Sequence, residues 1–109
     1  MLSKSVAIQN DNARVIGDLA FSHGLRGNKK ASAGGDASDD YEKAADLFRK
    51  AHGLDSTYEK AYSNSAVINF YQGKYAEAWN DVNRARELGG NTLDPSFLEA
   101  LKTKAPDPR

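Results

Sequence analysis

The residues best able to do chemistry are two histidines, His23 and His52, each followed by a glycine. Neither has a second histidine at metal-ligand spacing, and the chain contains no cysteine. The sequence therefore predicts no metal site and no disulfide. Its serines and acids form no recognisable triad or paired-carboxylate motif. We expect a protein without catalytic residues, bound metal or cofactor. His52 lies near a predicted helix C-terminus, where the helix dipole favours a positively charged side chain.

The segment 25–35 resembles a phosphate-binding loop in composition, since glycine, lysine and serine dominate it. A Walker loop needs a glycine, four residues, then Gly-Lys-Ser or Gly-Lys-Thr, between a strand and a helix. Here Lys29 follows Asn28, and no strand pattern precedes it. The composition instead predicts a flexible excursion, mobile over 27–36.

Size and charge narrow the class of protein. The chain has 109 residues, with 15 basic and 15 acidic side chains and a net charge of zero. This length suits one domain, and the neutral balance argues against a nucleic-acid partner, which selects a basic face. No apolar run approaches the roughly 20 residues that span a bilayer, so no membrane insertion is expected. The sequence does not decide whether the protein is cytoplasmic or is an exported protein in a trimmed form.

An internal repeat of 34 residues organises the elements. Tyr41 and Tyr75 each begin a segment whose apolar and small residues recur three and four positions apart, which indicates one helix face. The matching pairs are Ala44 with Ala78, Phe48 with Val82, Ala51 with Ala85, and Leu54 with Leu88. A second helical pattern precedes each copy, and one residue separates Gly73 from Tyr75 whereas sixteen separate Gly24 from Tyr41.

The patterns predict five helices, over about 10–24, 40–52, 57–72, 75–88 and 95–104, with an insertion near 25–39. Ser56 to Glu59 has the form of a capping box, and Asp39 precedes Glu42 at a similar spacing. Gly53 and Gly89-Gly90 are placed as C-terminal stops in the left-handed region. Asp94-Pro95 predicts the start of the last helix, with the aspartate as cap.

These features resemble the tetratricopeptide repeat (TPR) family. Ile16-Gly17, Ala44, Phe48 and Ala51 fit the first unit, about 10–58. The second unit, about 59–92, carries Ala66, Ala78, Ala85 and the turn Gly73-Lys74-Tyr75. The resemblance implies an all-α fold, with two TPR helix-turn-helix hairpins and a capping helix at about 95–104, in one short right-handed solenoid. Ser65 and Asn69 depart from the pattern, because the family usually has apolar or aromatic residues there.

The resemblance also implies a groove, lined by the first helix of each hairpin, that binds a peptide or a partner's segment. The alternative is that these positions form a solvated scaffold face, with Phe70 in the core. A carboxylate clamp is disfavoured, because Asp18 stands where an asparagine is needed and a third repeat is lacking. Carried over residue by residue, the groove consists of Arg14, Asp18, Phe21, Lys60, Ser63, Asn64, Val67, Phe70 and Tyr71.

Two functional interpretations remain open from the sequence. The first is an adaptor or scaffold that binds another protein or its own copy. The second is a regulatory or assembly piece of a larger repeat protein whose chemistry lies elsewhere. Two hairpins leave an apolar face near Val15 and Leu19 uncovered, which predicts a homodimer unless Val6 and Ile8 fold back over it.

Overall fold

Five α-helices make up the protein in a computed structural model that describes the backbone of residues 2–108 and the side chains of residues 12–108. Their bounds are α1 Leu2–Ser32, α2 Ser38–Leu54, α3 Glu59–Tyr71, α4 Tyr75–Glu87 and α5 Pro95–Lys104. No strand occurs in this part of the chain. The all-α prediction is therefore confirmed, and the predicted ranges of α3, α4 and α5 agree with the structure to within two residues.

The helices pack in pairs, α1 along α2 and α3 along α4, and α3 also contacts both α1 and α2. The 34-residue repeat is visible in the burial of α2 and α4. Ala44 and Ala78 are fully buried, Phe48 and Val82 are 3% and 0% exposed, and Ala51 matches Ala85 at 0%. Alanine at these positions allows the close approach of one helix to the next. The repeat thus gives α2 and α4 equivalent buried faces.

The first helix is longer than predicted, and this corrects the expected insertion. α1 continues through Gly24 and Gly27 to Ser32, so residues 25–32 are helix and not loop. Both glycines make room for a neighbour: a Cβ on Gly24 would lie 2.5 Å from Ile68, and one on Gly27 would lie 3.0 Å from Tyr41. Glycine permits close packing at both positions, so the predicted end of the helix at Gly24 is wrong.

Polar contacts with α2 hold the added turns of α1. Asp40 of α2 is 3% exposed and faces three basic or ionisable side chains of α1. Its carboxylate lies 2.9 Å from Lys30 Nζ, 3.5 Å from Arg26 Nε and 3.7 Å from His23 Nδ1. The Lys30 ammonium holds the pKa of Asp40 below its ordinary range, against the opposing effect of desolvation. Because these contacts are ionic, the spacing of apolar residues in the sequence could not predict them.

At three of the predicted helix boundaries, the residue predicted to cap or end the helix does not do so. The capping box does not form, because the Glu59 carboxylate accepts hydrogen bonds from the backbone and hydroxyl of Thr92. Asp39 does not cap α2, and the turn before that helix is held by Asp36, whose carboxylate accepts from the Ser38 backbone at 2.9 Å. Gly53 lies inside α2, outside the left-handed region.

The other boundary predictions are confirmed. Gly89 and Gly90 follow α4 with φ of 123° and 72°, conformations that an L side chain adopts only with strain. The Asp94 carboxylate accepts a hydrogen bond from the Ser96 backbone at 2.9 Å, with Pro95 at the first helical position. The boundary can be predicted from the neighbouring residues alone at these two sites, because each cap is completed within a few residues.

α5 and the tail that follows it close the end of the molecule beside α4. Leu101 is fully buried together with Trp79 and Val82. The Trp79 indole nitrogen donates to the Ala105 carbonyl at 3.0 Å, which satisfies a buried donor. Arg86 lies over the Trp79 ring at 5.5 Å and binds Asp107 at 2.7 Å. α5 thus covers apolar side chains of α3 and α4.

Candidate functional site

The predicted groove residues lie on two adjacent helices, α1 and α3, and differ widely in exposure. Arg14, Asp18, Lys60 and Tyr71 are exposed, and Ser63 is buried. The remaining four are half-buried: Phe21, Asn64, Val67 and Phe70. Asp11, a further groove position that the resemblance implies, lies outside the described side chains.

The two phenylalanines of this set pack within the fold. Phe70 makes edge contacts with Tyr71 and Phe97, with ring centroids 5.5 Å apart in each case, and a tilted contact with Tyr75 at 5.8 Å. Phe21 packs against the buried cluster around Ala44 and is itself half-buried. Such geometry stabilises the meeting of three helices. Both side chains are therefore partly engaged in packing within the fold, and their assignment to a groove stays a prediction.

Three of the predicted residues line a concavity beside α5. Ser63, Asn64 and Val67 of α3 face the connection after α4 and the start of α5 across a cleft of about 190 Å³. Its far side includes Leu93 and Phe97. The Ser63 hydroxyl donates to the Lys60 carbonyl at 3.0 Å and so satisfies itself within α3. Of these three residues, Asn64 and Val67 are half-buried and therefore still partly accessible from the cleft.

A second concavity lies at the Tyr71 end, where the sequence placed a loop. The added turns of α1 supply Leu25, Asn28 and Lys29, which line a cleft of about 340 Å³ with Tyr41 and Tyr71. Leu25 is 46% exposed and Tyr71 is 60% exposed. The Tyr41 hydroxyl donates to the Asn28 side chain at 2.5 Å and fixes this end of α1 against α2. The spacing of Phe21, Leu25 and Asn28 by four and three was the signal that could have revealed this face.

A third cleft, of about 320 Å³, opens between α2 and α4 and was not anticipated. Its lining includes Phe48 and His52 of α2, Ser65 and Asn69 of α3, and Asp81 of α4. The Asn69 amide nitrogen donates to Asp81 Oδ2 at 2.9 Å. The two α3 residues that depart from the apolar pattern of the repeat thus face one partly buried carboxyl group. We call this surface the α2–α4 cleft.

Two side chains of the α2–α4 cleft, Asp81 and His52, have pKa values shifted toward their neutral forms. Burial raises the pKa of Asp81 to about 6, against hydrogen bonds from Ser65 and Asn69 that favour the charged form. Burial lowers the pKa of His52, and a contact with the Ala61 carbonyl partly offsets this. His52 stacks on Tyr62 with centroids 3.9 Å apart. The histidine is therefore uncharged at neutral pH and does not act as the helix-end cation that the sequence suggested.

Comparisons of the chain with models of protein families, with curated proteins and with solved structures give no match. Within residues 2–108, no helix has the length and apolar character needed to cross a membrane. Across the described side chains, no group of three or more histidine, cysteine or acidic residues is placed to hold a metal ion.

Proposed function

We propose that this chain is a protein-interaction module of the TPR type, an adaptor or scaffold whose α1–α3 face binds an extended segment of a partner protein. The repeat architecture is supported by the equivalent buried faces of α2 and α4, and by the second hairpin packing on the first through α3. In such an arrangement the two hairpins and α5 form a short right-handed solenoid. The proposal assigns the chain no catalytic role and no cofactor.

The observation that carries the binding role is the exposed apolar surface shared by α1 and α3. Leu25 and Tyr71 are both about half exposed or more, and they line one concavity with Lys29. Apolar and aromatic side chains ringed by polar ones are typical of the centre of a protein interface. Tyrosine in particular contributes large contact area with little loss of conformational entropy.

A selection experiment tests this role with the intact chain. Random peptides displayed on phage are selected against the protein, and a synthetic peptide from the selection is titrated by NMR. We expect shifts at Asn64, Val67 and Tyr71, and a Kd raised about tenfold or more by Tyr71→Ala, in line with the truncation of an interface aromatic. The control Lys50→Ala, on the exposed side of α2, should leave the Kd unchanged. Shifts confined to residues outside the α1–α3 face would refute the proposal.

A second surface favours self-association through α1. Val15 is 60% exposed and Leu19 is 47% exposed. In the repeat register, Leu19 of α1 corresponds to Ile68 of α3, which is 2% exposed because it packs on Gly24 and Phe48. A helix that packed on α1 as α1 packs on α3 would cover Leu19 in the same way. A second copy supplies such a helix in a homodimer, and the preceding repeat would supply it in a larger repeat protein. The alternative cover, Val6 and Ile8, lies outside the described side chains.

A further inference from the structure

The α2–α4 cleft contains polar side chains where a helical hairpin normally has apolar ones. Ser65 is 8% exposed and faces α4, and Asn69 is hydrogen-bonded to Asp81 at 2.9 Å. A buried polar group costs free energy unless it is hydrogen-bonded, and a buried carboxylate costs more unless a cation accompanies it. This hairpin therefore directs a carboxyl group and two hydrogen-bonding side chains into an open cleft.

The charges facing Asp81 leave its carboxylate without a close counter-ion among the described residues. Glu77, on the same face of α4, is a second carboxyl group and raises its pKa further. From α2 the cleft receives Arg49, which is paired with Asp46 and largely exposed, and the uncharged His52. Lys74, in the turn before α4, is exposed at the rim. The interior of the cleft is thus acidic, and its basic groups lie at the mouth.

The walls of the cleft suit a flat organic cation. Phe48 and His52 stand on the α2 side with ring centroids 6.4 Å apart and planes inclined by 24°. Phe48 is only 3% exposed, so the accessible ring of this wall is the half-buried His52. A guanidinium group can lie against an aromatic ring while it forms paired hydrogen bonds to a carboxylate. The cavity of about 320 Å³ is at the small end of the range for ligand pockets, enough for one side chain.

We propose that the α2–α4 cleft binds the guanidinium group of an arginine side chain from a partner protein, with Asp81 as its counter-ion. Asn69 orients the carboxylate from α3, and the half-buried ring of His52 lines the cleft beside the bound cation. This site shares α3 with the α1–α3 face but none of the residues proposed to bind there, so it does not depend on that face. The same polar residues could instead serve only to fix the register of α3 against α4, which requires no ligand.

Titration of the intact chain with N-acetyl-arginine N-methylamide separates these explanations. The side-chain amide signals of Asn69 and the ring signals of His52 are followed by NMR at about pH 7.5. We expect saturable shifts of both, and none with N-acetyl-citrulline N-methylamide, which has the same shape without the charge. Asp81→Asn should raise the Kd about tenfold or more, as the loss of a charged partner does. Asp39→Asn, which removes a carboxylate from the opposite end of α2, should leave it unchanged.

Further arms exclude indirect effects. Asp81→Asn keeps a hydrogen-bond acceptor for Asn69, and circular dichroism verifies that the variant is folded. Should it fail to fold, Glu77→Gln at the edge of the cleft gives a second readout, with a smaller increase in Kd. Lowering the pH to about 5 should weaken binding, because Asp81 is then protonated. Equal shifts with the citrulline compound, unchanged binding to Asp81→Asn, or no response of Asn69 would overturn the proposal. Tighter binding of spermidine would overturn the assignment to an arginine side chain and point to a free amine.

Discussion

Replacing Asp81 with asparagine should stabilise the protein at neutral pH and change its stability little at about pH 4. The carboxyl group is partly buried between α3 and α4, and its pKa rises from 3.8 to about 6 on folding. The folded state therefore binds the proton more tightly than the unfolded chain does. Stability is lost as the pH rises from about 4 through about 6, and above that range the loss is complete. Asparagine, which does not ionise, removes this loss.

The magnitude follows from the shift itself. Each pKa unit corresponds to about 1.4 kcal/mol, so the ionised Asp81 reduces the free energy of unfolding by about 3 kcal/mol above about pH 7. At about pH 4 the unfolded carboxyl group is only partly ionised, and the loss is about 0.5 kcal/mol. The asparagine amide retains an acceptor for the hydrogen bond from Asn69, so the variant should lose little in return.

Urea unfolding at about pH 4 and about pH 7.5, monitored by circular dichroism, measures both values. The difference in unfolding free energy between Asp81→Asn and the unmodified chain should increase by about 2 kcal/mol from the lower to the higher pH. Asp39→Asn removes an exposed carboxylate from the first turn of α2 and should shift stability by about 0.5 kcal/mol or less at both pH values. Parallel pH profiles for the Asp81 variant and the unmodified chain would refute the reasoning. A variant less stable than the unmodified chain at about pH 7.5 would show that the carboxylate is favourably paired.

Other changes test the packing and the assembly. Gly24→Ala should reduce the free energy of unfolding by about 1 to 2 kcal/mol, because the new Cβ would lie 2.5 Å from Ile68. Gly53 lies in α2 with open space around it, so Gly53→Ala should increase the free energy of unfolding by about 0.5 to 1 kcal/mol in the same urea assay. Equal effects of these two substitutions would contradict the close approach at Gly24. Trp79→Phe removes the hydrogen bond to the tail after α5 and should lower the free energy of unfolding by about 1 kcal/mol. Amide hydrogen exchange in that tail should become faster, and an unchanged exchange rate would refute the contact. Sedimentation equilibrium over about a hundredfold range of concentration should show association that Leu19→Asp abolishes, and a constant monomer mass in both proteins would exclude the α1 dimer.

The elements of the second hairpin and α5 could be predicted because their signals are local. The pattern of small residues around Ala78 and Ala85 lies within one helix, and the cap at Asp94 is completed two residues later by Ser96. Such signals need no knowledge of the neighbouring helix. The groove positions on α3, such as Asn64 and Val67, are implied by the resemblance to the repeat family and stay a prediction. The contact of Phe70 with Phe97 depends on where α5 packs, which no local signal gives.

The sequence by itself determined the helical class, the 34-residue period and the turns whose capping groups are close in the chain. The length of α1 was decided by the tertiary structure, because Gly24 favours a helix end until Ile68 of α3 packs directly against it. The same holds for Asp81, which is an ordinary surface acid in the sequence of α4. Only the packing of α3 against α4 partly buries it beside Asn69 and shifts its pKa, since desolvation and hydrogen bonding depend on groups twelve residues away.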